Sequence, residues 1–233
     1  KMNALDLGGN IGYYSIIMSK IIGNDGRLYV VEPDPRNTLI LKKNLIEYKN
    51  IKFYECAIGN QDSEVEFNIT EKSNLNTFAD FETIKKVETK KVKMYKLETF
   101  INKIIEDQIN FIRMDIEGFE YELLNEAFSF LTNYNKPITI LFETHPNYYS
   151  DKRNMGNLID KFLKNNFKVE YLVSAGNVQK IIKTKFNLIS DFDIKSDNYL
   201  RSFYKSPKNH DTINKLIMNK PKLIRYILLT NRV

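Results

Sequence analysis

An α/β fold, with a mostly parallel sheet and helices on both faces, is what this sequence predicts, and three observations predict it. Strand-like apolar runs alternate with helix-like periods along the chain. The first run, Asn3–Leu7, leads into a glycine-dense turn that passes without a break into a helical pattern. Acidic residues stand at or beside the carboxyl ends of the apolar runs: Asp6, Glu32, Asp115 and Glu143. In open α/β sheets that is the edge where ligands bind.

Taken in order, strands are expected at Asn3–Leu7, Arg27–Val31, Lys52–Ala57, Phe111–Met114 and Thr139–Phe142, with later ones near Lys168–Val173 and Leu200–Tyr204. Helices are expected at Tyr13–Ile22, Pro35–Tyr48, Phe119–Leu131 and Asn157–Asn165. Glu64–Asn68 and Lys91–Tyr95 alternate as strands do and should pair across Ile69–Lys90. That connection is polar, rich in lysine and free of Gly and Pro. It reads either as a solvated excursion or as a substrate-side flap.

The turn is the most informative segment. Asp6-Leu7-Gly8-Gly9-Asn10-Ile11-Gly12 places three of the chain's nine glycines within five positions. Glycine tolerates positive φ and lets a ligand lie against the backbone, and a helix N-terminus beyond it offers N–H groups and a positive dipole end. The dinucleotide pattern G-x-G-x-x-G fails, because Asn10 and Tyr13 occupy its second and third glycine positions. The P-loop fails for want of Gly-Lys-Ser/Thr. The pattern D-x-G-G-N-x-G resembles motif I of class I S-adenosylmethionine methyltransferases. A methionine moiety with its ammonium and carboxylate suits Asp6 beside backbone donors. The alternative is a glycine loop that is only a tight turn.

The next motif weighs against that alternative. Leu28-Tyr29-Val30-Val31 reads as a buried strand with Glu32 at its carboxyl end, 24 positions after Gly8. An acidic residue at about that spacing is where a ribose diol is held. Pro33 stops the strand, and Asp34 is read as the cap of the helix that follows.

Further along, Phe111-Ile112-Arg113-Met114-Asp115-Ile116-Glu117-Gly118-Phe119-Glu120 repeats the pattern of strand, acidic residue and glycine turn. Asp115 should face the same crevice as Gly8 and Glu32. Glu117 and Glu120 are close enough to the next helix to pair with its dipole, which is the favoured reading for Glu120. Glu143 and His145, two apart in Phe142-Glu143-Thr144-His145-Pro146, should project to one side of extended backbone. His145 is one of two histidines in the chain. The unperturbed imidazole pKa of about 6.5 makes it the first candidate for a general base. Glu143 would orient or replace it, and Asp115 would border the methyl group. A carboxylate-rich set of this kind suits magnesium in principle, but the spacing does not demand a metal and none is assigned.

Together, Asp6–Ser15, Val31–Asp34, Asp115–Glu120 and Glu143–Pro146 resemble the successive blocks of the FkbM family of S-adenosylmethionine-dependent methyltransferases, over roughly residues 1–150. Ala57-Ile58-Gly59 and Ser63–Phe67 are similar to the family's third-strand region. The resemblance implies a Rossmann-like, seven-stranded sheet, S-adenosylmethionine as cofactor and O-methylation of a hydroxyl on a sugar, glycan or secondary metabolite. It implies Asp6, Gly8, Gly9, Asn10, Gly12, Glu32, Ala57 and Asp115 as cofactor-binding residues, and His145, Glu143 and Asp115 as catalytic ones. Gly9 departs from the more usual alanine.

Composition bounds the rest. A chain of 233 residues with 42% hydrophobic content can bury a sizeable core. The expected division is a methyltransferase domain over 1–204 and a basic helical tail over 205–233. The single Cys56 excludes an intrachain disulfide and fits a reducing, cytoplasmic setting; its apolar surroundings indicate a structural thiol. No apolar run reaches the length of a membrane span and no signal peptide is visible. The chain begins almost on its first strand, so a further N-terminal segment is expected in the natural protein.

The net charge of +6 is concentrated after Tyr204, where seven Lys/Arg face one acid, Asp211. The tail's apolar residues (Ile213, Leu216, Ile217, Leu223, Ile224 and Ile227) fit a helical period broken at Pro221. Such a segment can lie on an anionic membrane surface or on nucleic acid; the favoured reading is a C-terminal helix packed on the domain, or a linker. The expected partner is a small-molecule or glycan acceptor. A nucleic-acid methyltransferase is the rival suggested by the basic tail, opposed by Met-Asp-Ile-Glu at the fourth strand end and by the lack of an RNA-binding module. A non-catalytic module on the same fold is the other rival, opposed by the intact Asp6, Gly8, Gly12 and Glu32.

Overall fold

A computed structural model describes residues 1–70, 86–196 and 198–232. The chain divides into two compact units, Lys1–Leu131 and Thr132–Val233.

The first unit opens with β1 (Asn3–Leu7), whose five residues are all buried. After the glycine turn come α1 (Tyr13–Ile22), β2 (Arg27–Val31), α2 (Pro35–Leu45) and β3 (Ile51–Tyr54). Then follow β4 (Ala57–Gly59), β5 (Ser63–Thr70) and β6 (Lys86–Lys96). A short α3 (Leu97–Thr99) passes into a π-helical turn over Phe100–Ile105, and β7 (Phe111–Met114) leads to α4 (Glu120–Glu126) and α5 (Phe128–Thr132). Strand β1 pairs in parallel with β2 on one side and with β7 on the other, and β2 pairs in parallel with β3. The chain therefore crosses from one side of β1 to the other, and β1 marks a topological switch point.

Sequence explains these elements locally. Asp34 caps α2 by accepting the Arg36 N–H at 2.8 Å, with Pro35 in the first turn. Leu41 and Leu45 of α2 bury against Ala4, Leu28 and Val30, with Ile16, Met18 and Ile22 of α1 packed on the same cluster. Helix α1 also turns polar residues inward. Ser19 donates to Asn50 Oδ1 at 2.6 Å, while Ile17 and Ile21 are exposed. The β5/β6 pairing holds in antiparallel register, with Glu64 opposite Lys93, Glu66 opposite Lys91 and Val65 opposite Val92. Opposite charges in that arrangement stabilise a ladder. Strand β4 joins β6 in parallel. The flap reading falls largely on residues 71–85, which lie outside the described residues. The expected helix Phe119–Leu131 is two helices, broken at Ala127. Cys56 is free and buried, and burial pushes its thiol up to about 12.

The second unit contains β8 (Thr139–Glu143), a 3-10 turn over Pro146–Tyr148, α6 (Met155–Leu163), β9 (Lys168–Ser174), α7 (Gln179–Phe186), β10 (Phe192–Ser196), β11 (Tyr199–Lys205), α8 (His210–Met218) and β12 (Ile224–Thr230). Its strands pair antiparallel throughout: β12 with β8 and with β9, and β11 with β9 and with β10. The class is α/β and Rossmann-like, as expected, but the seven-stranded, mostly parallel sheet is not what forms. Among the described residues β1 pairs in parallel with β2 and with β7, β2 with β3 and β4 with β6, while the pairings within the second unit are antiparallel.

The stretch 205–233, expected to be a helical tail, is a helix followed by a strand. Ile213, Leu216 and Ile217 of α8 are buried, as are Leu223, Ile224 and Ile227. The spacing of these residues fits a helix, yet the β-branched and aromatic run Ile224-Arg225-Tyr226-Ile227 fits an interior strand equally well, and pairing on both sides decides it. These apolar side chains are part of the buried core. No helix among the described residues is long and apolar enough to cross one.

Candidate active site

The glycine turn of the first unit is held by its own peptide groups. The N–H groups of Gly8 and Gly9 both donate to Val31 O at 3.0 Å, and that of Gly12 donates to Gly9 O at 2.8 Å. Asn10 N–H donates to Glu32 Oε2 and Ile11 N–H to Asn10 Oδ1, each at 2.8 Å. The expectation that bare donors of this turn await a ligand is therefore corrected for residues 8–12. The donors of Gly8, Gly9 and Asn10 tie the turn to the end of β2, and those of Ile11 and Gly12 close it on itself. The glycines answer to the same crowding. Gly8 has φ +83°, and a Cβ there would stand 2.0 Å from Asp115 O; at Gly9 it would stand 2.4 Å from Val30 Cγ1. Gly12 has φ +94°, with Leu41 Cδ1 at 2.9 Å from its Cβ position. Alanine in place of Gly9 would meet Val30.

Glu32 stands at the carboxyl end of β2 and is buried. Its Oε1 accepts from Asp34 N–H at 2.9 Å and from Asn37 Nδ2 at 3.3 Å, and its Oε2 from Asn10 N–H. Burial pushes its carboxyl up from the usual carboxylate range, opposed by the hydrogen bonds from Asp34, Asn10 and Asn37. A carboxylate oxygen can accept two hydrogen bonds. Oε2 receives one among the described residues, so it retains capacity for a hydroxyl, as a ribose would require.

Beneath the turn lies a charge triad that motif reading missed. Asp6 is fully buried; its Oδ2 accepts from Ser15 Oγ at 2.6 Å and its Oδ1 from Arg113 Nη1 at 2.8 Å. Arg113 Nη2 reaches Asp115 Oδ2 at 2.8 Å, and the guanidinium carbon lies 4.3 Å from the centroid of the Tyr14 ring. Asp6 is thus placed under the turn, engaged with Arg113 and Ser15, rather than turned toward a methionine ammonium. The available signal was a cation inside an apolar strand, since a buried arginine requires carboxylate partners. Strand pairing brings Asp6 opposite Arg113, and Asp115 N–H donates to Leu7 O at 3.1 Å, so Asp115 stands at the rim beside Gly8. Glu120 is buried and accepts the Ile116 N–H at 3.0 Å, a local turn contact. Ala57 is buried at the start of β4 opposite Met94, three residues past Tyr54, whose carbonyl accepts the Glu32 N–H at 3.2 Å.

The acidic set at this strand edge fits S-adenosylmethionine. Glu32 can accept a hydroxyl, and the three charges Asp6, Arg113 and Asp115 sum to one negative charge, complementary to a sulfonium. No backbone cradle for a pyrophosphate is left in residues 8–12.

In the second unit, Glu143 ends β8. Its Oε1 lies 2.7 Å from Lys222 Nζ and 3.4 Å from Arg225 Nε. Burial raises its carboxyl, but Lys222, Arg225 and His145 outweigh that and hold it below the usual range. Lys222, read from sequence only as part of a basic tail, is thus the partner of a predicted site residue. His145 is half-buried at the start of the 3-10 turn. Its N–H donates to Tyr149 Oη at 3.1 Å, and its ring lies 6.0 Å from that of Tyr148.

Solved structures similar to this chain include Aeropyrum pernix fibrillarin with natively bound S-adenosylmethionine, at 13% identity and TM-score 0.46, covering 88% of this chain and 66% of that one. Precorrin-6y C5,15-methyltransferase from Geobacter metallireducens matches at 10% identity and TM-score 0.47, over 99% of this chain and 79% of that one. A SAM-dependent O-methyltransferase from Thermotoga maritima matches at 8% identity and TM-score 0.46, over 100% of this chain and 60% of that one. The chain spans just under two thirds of the fibrillarin's length. Comparison with curated proteins finds no match. Residues 6–169 match the family described as the methyltransferase FkbM domain, a span that holds the glycine turn, Glu32, Asp115, Glu143 and His145. The chain belongs to the FkbM methyltransferase family, and its methyl donor is S-adenosylmethionine.

Proposed function

We propose that this methyltransferase transfers its methyl group to a hydroxyl oxygen on a sugar, glycan or secondary metabolite. The observation that carries the reading is the buried Glu32 carboxylate, fixed at the end of β2 by Asn10, Asp34 and Asn37 with acceptor capacity left on Oε2. The donor supplies an electrophilic methyl on a sulfonium centre. The chain supplies the rest. Glu32 Oε2 accepts a ribose hydroxyl, and Asp115 presents its charge to the cationic part of the ligand. Attack by an alcohol requires loss of its proton, which the His145 imidazole accepts. Glu143, kept ionised by Lys222 and Arg225, stabilises the imidazolium that results.

An acceptor of small-molecule or glycan class is also supported by the tail. Its apolar residues are buried, Lys222 is paired with Glu143, and Lys220 Nζ donates to Tyr149 O at 3.0 Å. We place the protein in the cytoplasm, in keeping with its single buried thiol.

The test is calorimetric titration with S-adenosylmethionine and S-adenosylhomocysteine, wild type against Glu32→Ala, followed by a screen of glycans and small hydroxylated metabolites for methyl uptake. Micromolar binding lost in the variant, with methyl ether formed on a screened hydroxyl, is the expected result. Methyl transfer to RNA or to nitrogen would overturn the acceptor reading.

A further inference from the structure

We infer that Arg113 is a positioning residue that presents Asp115 to the methyl donor, gripping Asp6 with one nitrogen and Asp115 with the other. The inference rests on the reading of this strand edge as the donor site.

Three observations carry it. Arg113 projects from a buried strand, is 7% exposed, and places Nη1 and Nη2 each 2.8 Å from a different carboxylate. A guanidinium is planar, so fixing one nitrogen against Asp6 fixes where the other stands. Asp6 is itself fixed, because Ser15 of α1 takes its second oxygen. Tyr14, one residue before Ser15, lies with its ring 4.3 Å from the guanidinium carbon and opposes rotation of the fork out of plane. Helix α1, β1 and β7 therefore set the direction of the Asp115 carboxylate through one side chain. Asp6 and Tyr14, both in the turn-and-helix segment, acquire a role that touches the ligand only through Arg113. Lysine could not substitute fully, since a single ammonium on a flexible stem cannot hold two carboxylates in fixed geometry.

Affinity for S-adenosylmethionine is measured by calorimetry for wild type, Arg113→Gln, Arg113→Lys, Asp115→Asn and the double variant Arg113→Gln/Asp115→Asn, with thermal melting as a control for folding. Arg113→Gln should weaken binding by about 10-fold or more, the scale of a lost charge-assisted hydrogen bond. Arg113→Lys should lie between it and wild type. The double variant should be no weaker than the worse single, because both changes remove one interaction. A purely structural arginine would lower the melting temperature and leave the affinity of the folded protein unchanged, which overturns the inference. So do Arg113 and Asp115 effects that multiply. If Arg113→Gln does not fold, wild-type affinity in Arg113→Lys overturns it equally. Absence of binding to the wild type defeats the donor-site reading and this inference with it. Binding to the wild type with no response to Arg113 defeats this inference alone.

Discussion

Lys222 Nζ stands 2.7 Å from Glu143 Oε1, joining the segment before β12 to the end of β8. The pair converts a stretch that reads as surface charge into part of the setting of a predicted catalytic residue. Removing the cation from a carboxylate whose side chain is 12% exposed leaves that charge under-compensated. Lys222→Met should destabilise the protein by about 1–3 kcal/mol at neutral pH, measured by urea denaturation. The pH dependence follows from the sign of the shift. The folded pKa of Glu143 is lowered, so its stabilising contribution is present above the unfolded carboxyl value and is lost as pH falls through the folded one. With Lys222 gone, burial is opposed by less, and the acid loss of stability should begin at higher pH than in wild type.

Glu32 carries the opposite sign. Its folded pKa is raised, so its contribution is fully present below the unfolded carboxyl value and is lost as pH rises through the folded one. The stability of wild type relative to Glu32→Gln should therefore fall on going from acid toward neutral pH. Glutamine introduces its own offset, since its amide donor must face a backbone or side-chain donor, but it does not titrate. A flat difference across pH 4 to 7 would contradict the burial-driven shift.

Gly8→Ala should be severe. Its φ of +83° and the Asp115 carbonyl 2.0 Å from the Cβ position act together. The left-handed conformation alone costs about 1–2 kcal/mol for an L-residue. A total loss above ~2 kcal/mol is expected, with donor affinity lost alongside because Asp115 is displaced. Gly23→Ala is the comparison: its φ is also positive, at +71°, but nothing lies within 4 Å of its Cβ position, so it should show the conformational cost without the clash.

His145→Ala should lower kcat by about 10²–10⁴-fold, the usual contribution of a general base, with affinity for S-adenosylmethionine unchanged within error. Single-turnover methyl transfer over a pH series separates this from a structural effect. The wild-type rate should rise through the imidazole pKa, and the variant's should not. An unchanged rate in the variant would remove His145 from the mechanism.

The first unit was largely legible because its signals are local. Gly8, Gly9 and Gly12 mark a turn, Glu32-Pro33-Asp34 marks a strand end and a helix start, and each is dictated by neighbours within a few residues. Arg113 was not legible in that way, since its meaning comes from Asp6, 107 positions earlier. Lys222 was hidden for the same reason, 79 positions from Glu143. The donors of the glycine turn looked available because sequence cannot show that Val31 O takes two of them. Strand β10 was missed because Phe192, Asp193, Ile194 and Lys195 are all exposed, leaving no buried face to give it a period. Strand β12 was absorbed into a helical pattern that its apolar spacing also satisfies.

The position of β12 has a consequence for how the protein is made. It lies between β8 and β9, both of which leave the ribosome long before it. Until Ile224–Thr230 emerge, the nascent second unit holds two strands whose facing edges lack their shared neighbour, and such edges invite pairing with other chains. Strand β12 acts as a keystone. Its emergence, rather than the appearance of β8 and β9 in turn, sets the moment at which these strands can close into a sheet.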